Sequence, residues 1–257
     1  MIQGCKNSSQ KLPKTNEPEN SLVIIEDTLY ANLITADYVL GKFDPATHSS
    51  FVKVDTNFAD ESGYYLHKDT YKAFLKMKSV ADEDNVELKI ISATRPFKRQ
   101  KKIWEAKWNG QRLVGGNKLP ESHPNPIDRA LKILEYSSMP GTSRHHWGSD
   151  FDINALENNY FESGKGAKEY QWLITNAPAF GFCQVYTEKG DERPTGYEEE
   201  KWHWSYFPLA GRITAAIDTI LTNDQISGFD GAETAVEIDI VKNYILGINP
   251  ECLLKNK

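Results

Sequence analysis

The sequence predicts an α+β fold. Segments with helical spacing of apolar residues and short alternating or apolar runs both occur along the chain. These segments do not alternate strictly, as they would in a doubly wound parallel sheet. The chain has 257 residues, of which 39% are hydrophobic and 26% are charged. This composition is typical of a globular protein with one large domain or two small ones.

The first half of the chain predicts a helix, a strand and a second helix. Residues 68–80 place four apolar side chains at helical spacing. Residues 86–92 alternate and then become apolar, which indicates a buried strand. Pro96 suits the start of a helix over residues 97–108, because the fixed φ of proline fits the first helical turn. Earlier, residues 21–25 form a short apolar run.

Further elements follow a predicted loop over residues 110–126, where glycine and proline pairs occur without periodicity. This loop is a candidate cover for a functional site. Gly181 favours the end of the helix before it. The predicted helices cover residues 127–136, 167–180 and 213–221, and the predicted strands cover residues 150–154, 181–186 and 202–207.

Charge, hydropathy and cysteine content exclude several classes of protein. The formal net charge of −6 argues against a broad nucleic-acid-binding face. No segment approaches the roughly 18 uncharged apolar residues that a membrane-spanning helix needs. Three cysteines are too few for a disulfide scaffold. Cys183 follows an apolar residue in a predicted strand, so we expect it to be buried and inert.

The segment SRHHWGSDFD contains the residues that suggest a metal site. His145 and Asp152 lie seven residues apart with Gly148 between them, and His203 follows Glu200 by three residues far downstream. Two imidazoles and one carboxylate suit zinc and leave a fourth coordination position for water. Zinc lowers the pKa of such a water to about 7. Hydrolysis also needs a base that is not a ligand, and Glu200 fits that role by position.

The alternation of side chains along a strand supports this division of roles. Asp150 and Asp152 share one face of their predicted strand, so that the intervening phenylalanine points to the core. Glu200 has the wrong parity to share a strand face with His203. It is therefore expected in the loop before that strand. If the two strands pair, Asp152 and His203 can approach one ion, while Gly148 lets the chain turn after His145.

The pattern Ser-x-His-x-x-Gly-x-x-x-Asp followed by Glu-x-Trp-His resembles the VanY-type D-alanyl-D-alanine carboxypeptidases. These zinc peptidases of the bacterial cell wall share their fold with lysostaphin-type enzymes and the hedgehog signalling domain. Ser92, Arg95 and Gln100 also match a family motif, and the resemblance covers about residues 68–207. It implies a small antiparallel sheet that carries the zinc site and is flanked by helices.

The resemblance implies a role for each matched residue. His145, Asp152 and His203 would bind Zn²⁺, and Glu200 would activate the water. Arg95 would stabilise the developing oxyanion or hold the terminal carboxylate of the substrate. Three further residues are candidate substrate contacts: Ser92, Gln100 and Ser143. The implied reaction removes a C-terminal D-alanine from peptidoglycan stem peptides.

Two features depart from the simplest form of this pattern. The family usually has alanine at the position of Asp150. We interpret Asp150 as a hydrogen-bond partner that supports a histidine or a lysine. The alternative is that Asp150 competes for the metal. His146 is interpreted as a neighbour of a ligand rather than a ligand. The remaining histidines have no partner pattern and are predicted to lie on the surface or in loops: His48, His67 and His123.

The pattern leaves other activities open. An L,D-carboxypeptidase, a D,D-dipeptidase or a peptidoglycan endopeptidase could use the same scaffold. A non-catalytic zinc-containing binding module of the cell envelope is a further alternative. No feature of the sequence indicates an oligomeric state.

The predicted organisation has three parts. Residues 1–20 form a polar, disordered arm or a lipoprotein tether. Residues 21–212 form the peptidase domain, and residues 213–257 form a helical extension packed on it. Cys5 after Gly4 resembles the end of a bacterial lipoprotein signal, although the apolar segment that should precede it is absent. A lipid on Cys5 would be the sole membrane contact and would place the protein in the cell envelope.

Overall fold

The computed structural model describes residue 30 and residues 32–253. The predicted arm over residues 1–20, with Cys5, and the apolar run over residues 21–25 lie outside the described residues. From residue 34 onward, the described chain forms one compact unit. None of its helices combines the length and the apolar character that crossing a membrane requires.

A four-stranded antiparallel sheet forms the centre of this unit, which confirms the predicted α+β class. Its strand order is β3-β4-β6-β5, and a separate hairpin pairs β1 with β2. The strands are β1 Phe51–Lys53, β2 Tyr65–His67, β3 Ile90–Ser92, β4 Asp150–Ile153, β5 Phe182–Gln184 and β6 His203–Tyr206.

Helices surround the sheet. In the described part of the chain, the α-helices are α1 Ala36–Val39, α2 Lys68–Glu83, α3 Phe97–Trp108, α4 Leu119–Ser122, α5 Pro126–Ile133, α6 Gly164–Asn176, α7 Phe207–Ile220 and α8 Thr234–Ile238. The predicted helix over residues 97–108 is confirmed at both ends. Its first residue follows Pro96, which adopts the extended conformation of a helix N-cap.

The hydrophobic core lies between α2 and one face of the sheet. Phe74 of α2 contacts Phe151 of β4, with ring centroids 5.5 Å apart and nearly perpendicular planes. Ile153 and Trp204 point into the same core. The other face of β4 and β6 therefore carries the polar side chains. This face holds the candidate site.

Several predicted boundaries differ from the structure. The loop over residues 110–126 contains the short helix α4 and an isolated bridge between Val114 and Asn117. The helix predicted from residue 213 begins at Phe207, because Pro208 can occupy its first turn without losing a backbone hydrogen bond. The predicted limit between residues 212 and 213 therefore falls inside a continuous helix.

The expectation that Cys183 is inert was wrong. Cys183 of β5 is buried, and its sulfur forms a disulfide bond with Cys252 near the end of the described chain. The pairing was missed because the two residues are 69 positions apart in the sequence, and spacing alone does not bring them together.

The expectation for His67 was also wrong. This residue is 5% exposed and forms the N-cap of α2, where its Nδ1 accepts a hydrogen bond from the backbone N–H of Asp69. Helix caps are normally Ser, Thr, Asp or Asn, so the histidine gave no recognisable signal.

Candidate metal centre

The pairing of β4 with β6 places Asp152 directly opposite His203. Side chains of directly opposed residues lie on the same face of a sheet. The predicted convergence of these two strands is therefore present. Glu200 lies before β6, where its backbone N–H donates to the Tyr186 carbonyl at 2.9 Å. This location agrees with the parity argument made from the sequence.

His145 reaches the same place from a 3₁₀ helix, Arg144–Trp147, that precedes β4. Gly148 ends this helix with a φ of +71°, a left-handed conformation that glycine adopts without strain. The Nδ1 of His145 lies 3.0 Å from the Ala93 carbonyl oxygen. Because a carbonyl only accepts, Nδ1 carries the proton and Nε2 is left with its lone pair.

The three predicted ligands offer atoms that all lie within 4.8 Å of one another. The Nε2 of His145 is 3.3 Å from Asp152 Oδ1, and the Nδ1 of His203 is 3.5 Å from that same oxygen. His145 Nε2 and Asp152 Oδ1 are buried, and neither has a hydrogen-bond partner in the described structure. Buried polar atoms without partners are costly. A cation shared by the three side chains would satisfy them, so the donor set fits a metal ion.

Burial and neighbouring charges set the protonation of these ligands. Burial, followed by the nearby Arg95 guanidinium, lowers the pKa of His145 to about 4, which keeps its imidazole neutral. Burial would raise the pKa of Asp152, but the histidines and Arg95 outweigh it and lower the pKa to about 2. A neutral imidazole beside an ionised carboxylate is the form that binds a divalent cation.

His203 lies in a strongly anionic environment. Burial alone would lower its pKa, but hydrogen bonds to Asp150 and Glu200 and the charge of Asp152 raise the pKa to about 9. Its Nδ1 is 3.1 Å from Glu200 Oε2. The carboxylates therefore favour a positive charge at this position, and a metal ion would supply that charge. Burial raises the pKa of Glu200 itself, which suits a proton-accepting group.

Asp150 contacts His203 on the side away from the other ligands. Its Oδ2 lies 3.0 Å from His203 Nε2 and 3.0 Å from Arg144 Nε. The hydroxyl of Ser205 donates to its Oδ1 at 2.8 Å. Because Nε2 is engaged by this carboxylate, His203 presents Nδ1 to the ligand cluster. This arrangement matches hydrogen-bond support for a histidine rather than competition for the metal.

Arg144 was not singled out in the sequence. Its guanidinium is almost completely buried and also donates to Thr214 Oγ1 and Ser205 Oγ, both at 3.0 Å. The signal that could have identified it is Asp150, because a buried acid that does not bind a metal needs a cationic partner. His146 was correctly interpreted as a neighbour, since its Nε2 accepts from the Gly141 N–H at 3.0 Å.

A cleft of about 590 Å³ opens beside the ligand cluster, and His145, Asp152 and Glu200 line it. Arg95 and Ser92 also line this cleft. The backbone N–H of Arg95 donates to the His145 carbonyl at 3.1 Å, which ties the arginine to the ligand segment.

The other two candidate substrate contacts lie apart from the cleft lining. Gln100 is fully buried, and its Nε2 donates to the Ser138 carbonyl at 2.7 Å. Ser143 is also buried, and its Oγ has no partner in the described residues. Both side chains remain predictions as substrate contacts. Trp202 is buried and forms part of the cleft wall.

The fold and the donor cluster together define the class of protein: an α+β domain of the D,D-peptidase and hedgehog-like type. The model of the VanY family, "D-alanyl-D-alanine carboxypeptidase", matches residues 63–209. This match covers more than half of the chain, and the chain belongs to that family.

Two curated relatives agree with this assignment. "Putative carboxypeptidase YodJ" of Bacillus subtilis (strain 168) is 28% identical over 201 residues, which is 76% of this chain. A "D-alanyl-D-alanine carboxypeptidase" of Enterococcus faecalis (strain ATCC 700802 / V583) is 38% identical over 69 residues, or 27% of this chain. The matches span 63% and 24% of the length of these relatives.

A solved structure supports the fold. The LD-carboxypeptidase LdcB superimposes with a TM-score of 0.50 at 23% identity, over 84% of this chain and 82% of that one. This similarity concerns the arrangement of the elements, and it confirms the predicted fold class.

Proposed function

We propose that this protein is a zinc-dependent carboxypeptidase that removes the C-terminal D-amino acid from peptidoglycan stem peptides. Its membership of the VanY family supports this proposal. The observation that carries it is the convergence of His145, Asp152 and His203, with Glu200 beside them, at the wall of an open cleft. The stem-peptide substrate follows from the family and is part of the proposal.

The chain offers three atoms to the metal. His145 would bind through Nε2, His203 through Nδ1 and Asp152 through Oδ1, which is a ligand set suited to Zn²⁺. When bound in such a site, zinc activates water and polarises a carbonyl group as a Lewis acid.

Glu200 is placed to move the proton of the reaction. Hydrolysis joins a water oxygen to the peptide carbonyl carbon, breaks the C–N bond and leaves a proton for the departing amine. Burial raises the pKa of Glu200, so that its carboxylate can accept the proton from water and then release it to the amine. Its Oε2 lies 3.1 Å from His203 Nδ1, which places the carboxylate beside the ligands.

Arg95 is placed to bind negative charge on the substrate. It lines the cleft, and its Nε is buried without a partner in the described residues. A guanidinium offers a planar fork of donors to a carboxylate or to an oxyanion. In a carboxypeptidase, the terminal carboxylate lies one residue beyond the scissile bond. A guanidinium beside the metal ligands can bind this carboxylate and so select for a chain end.

We also propose that the protein works in the bacterial cell envelope. The disulfide between Cys183 and Cys252 supports this, because such bonds persist in oxidising compartments outside the cytoplasm. Lipidation of Cys5 remains a separate prediction. Fractionation of cells that produce the tagged protein would test both, with mass spectrometry of the N-terminal peptide to detect a lipid. Recovery in the cytosol with reduced cysteines would contradict the location.

The activity is tested by mass spectrometry of purified muropeptides after incubation with the zinc-loaded protein. Loss of one D-alanine mass is expected, whereas loss of two residues or separation of a cross-link would show a dipeptidase or an endopeptidase. Cleavage of stem peptides that end in a single D-alanine would show an L,D-carboxypeptidase, and cleavage of stem peptides that end in two D-alanines would show a D,D-carboxypeptidase. A chelator should abolish the product.

The Glu200→Gln variant separates an enzyme from a binding module. It should keep bound zinc and lose hydrolysis by two or more orders of magnitude, since it lacks the proton acceptor. Glu188→Gln, in the loop between β5 and β6, is a matched control that should retain activity. Equal hydrolysis by the wild type and Glu200→Gln would remove Glu200 from its role.

A further inference from the structure

One wall of the cleft is basic. Four cationic side chains line it, and three of them come from α3 or the turn after it: Arg99, Lys107 and Arg112. The fourth is Arg95, already placed beside His145. Two of the three anionic residues of the lining, Asp152 and Glu200, belong to the metal centre. A divalent cation bound there would compensate them, which leaves Glu157 as the one acidic side chain of the lining against four cationic ones.

These cations are close enough to influence one another. Burial, and then the positive charges of Arg112 and Arg95, lower the pKa of Lys107 to about 8. The Glu200 carboxylate acts on Lys107 in the opposite direction. Lys107 therefore lies within electrostatic range both of the outer arginine and of the reacting centre.

In the part of the chain that the structure describes, no acidic side chain forms an ion pair with the basic wall. Within the described residues, Arg99, Lys107 and Arg112 form no ion pair, whereas nearby lysines do, as in the Lys132–Glu135 pair. The Lys107 ammonium donates to the neutral hydroxyl of Ser137. Like charges gathered at one wall without counter-ions repel each other, and a bound anion would relieve that repulsion.

The backbone holds the wall in place. Lys107 lies in the last turn of α3, and the backbone N–H of Arg112 donates to the Ala106 carbonyl at 2.7 Å. A lysine in this turn also interacts favourably with the helix dipole. The helix dipole can explain the position of Lys107 alone, since Arg99 lies in the first turn and Arg112 lies beyond the helix.

We propose that Lys107 and Arg112, with Arg99 beside them, form a subsite for a second carboxylate of the peptide substrate, upstream of the scissile bond. The inference rests on the proposed function. Because the same cleft contains Glu200, the anion at this wall belongs to the molecule that is cleaved. A guanidinium and an ammonium together bind a free carboxylate and gain little from its neutral amide. The subsite therefore selects stem peptides whose side-chain carboxylate is free over those in which it is amidated.

The test uses pairs of synthetic peptides that end in D-Ala-D-Ala. The members of a pair differ in one group, a carboxylate or its carboxamide on one of the two residues that precede the terminal D-Ala-D-Ala. The zinc-loaded wild type should show a kcat/KM at least tenfold higher for the carboxylate peptide of one pair, mainly through KM. In Lys107→Met/Arg112→Met this ratio should fall toward one. Arg112→Glu changes an exposed residue, and its ratio of the two kcat/KM values should be lower than that of the wild type.

Lys72→Met/Lys168→Met is the matched control, because it removes two positive charges at exposed positions of α2 and α6. Its ratio should equal that of the wild type. A wild-type ratio near one for every pair, or an unchanged ratio in both wall variants, would overturn the subsite. A general structural defect would lower both rates and leave the ratio intact.

Calorimetric binding separates this inference from the proposed function. If no peptide is cleaved, the peptidase proposal fails, and the same pairs are titrated into the zinc-loaded protein. Tighter binding of the carboxylate peptide, lost in the wall variants, would still support the subsite. Equal binding of both peptides would overturn it as well.

Discussion

At the scale of single residues, Asp150 connects the metal centre to the buried interior. It accepts from Arg144 and contacts His203 Nε2 with the same oxygen, Oδ2. This carboxylate fixes which nitrogen of His203 faces the ligand cluster. An arginine buried in the core supplies the compensating charge, so the pair is neutral as a unit.

Removing the charge of Asp150 should weaken metal binding. In Asp150→Asn, the side chain keeps its shape, but it no longer orients His203 as an anion. The dissociation constant for zinc should rise about 10- to 100-fold. Competition with a fluorescent chelator measures this constant. Asp218→Asn, at an exposed position of α7, is the control, and equal affinities of the two variants would contradict the role of Asp150.

His67 should make folding stability depend on pH. Burial lowers its pKa to about 4, whereas an unfolded histidine titrates near about 6.5. Between these pH values the unfolded chain binds more protons at this histidine than the folded chain does. The contribution of neutral His67 to the free energy of unfolding is therefore complete above about pH 6.5 and is lost as the pH falls toward 4. The loss is on the order of 1 kcal/mol per pH unit.

The variant His67→Asn isolates this contribution, because asparagine can cap α2 without titrating. Denaturant unfolding at pH 7 and pH 5 should show a smaller loss of stability in the variant than in the wild type. Other titrating groups are common to both proteins and cancel in the comparison. Identical losses would show that His67 does not titrate as its burial implies.

The sequence predicted the ligand cluster better than the groups around it. Side-chain parity, a local property of strands, placed Glu200 outside the strand. It placed Asp152 and His203 on one face only on the condition that their two strands pair, which they do. Arg144, Lys107 and the partner of Cys183 depend on tertiary packing. No local spacing encodes such contacts.

At the scale of elements, the turn from the 3₁₀ helix into β4 determines where His145 and Asp152 meet. Gly148 makes this turn with positive φ, and a Cβ atom there would lie 2.3 Å from Phe51 Cε1. The close approach to Phe51 of β1 means that the hairpin packs directly against the ligand segment. Both the φ and the contact therefore require glycine.

Gly148→Ala should destabilise the fold and weaken zinc binding together. The left-handed conformation alone costs a non-glycine residue about 1–3 kcal/mol, and displacement of Phe51 adds to this. Gly63→Ala is the control, because Gly63 has a φ of +96° but no atom within 4 Å of the position that a Cβ would take. Chemical unfolding and zinc titration should show a larger effect for Gly148→Ala; equal effects would assign the cost to backbone conformation alone.

The elements also show which boundaries a sequence can predict. The start of α3 was predicted correctly because Pro96 marks it. The start of α7 at Phe207 was missed, since the strand-like aromatic residues of β6 run into the helix without a polar cap. Propensity does not separate two elements that share apolar residues.

At the scale of the whole molecule, the C-terminal segment is joined covalently to the sheet. Cys252 lies in a 3₁₀ helix, Pro250–Cys252, and its disulfide to Cys183 attaches that helix to the edge strand β5. The backbone N–H of Asn249 also donates to the Val185 carbonyl at 2.9 Å. The final segment thereby supports the strand that neighbours β6.

Cys183→Ala/Cys252→Ala should lower the free energy of unfolding. The crosslink spans 69 residues, and constraint of a loop of that size in the unfolded chain is worth about 4 kcal/mol. Denaturant unfolding of the oxidised wild type, the reduced wild type and the variant measures this. The reduced wild type should resemble the variant, and stability that is insensitive to reduction would contradict the account.

The proposed hydrolysis depends on one divalent cation held by His145, Asp152 and His203. Equilibrium dialysis against zinc, followed by measurement of metal per chain, tests this directly. The wild type should retain one zinc ion, His145→Ala and Asp152→Ala should retain far less at the same free zinc concentration, and Glu200→Gln should retain one. A wild type without zinc, or alanine variants that bind it as well as the wild type does, would contradict the central claim.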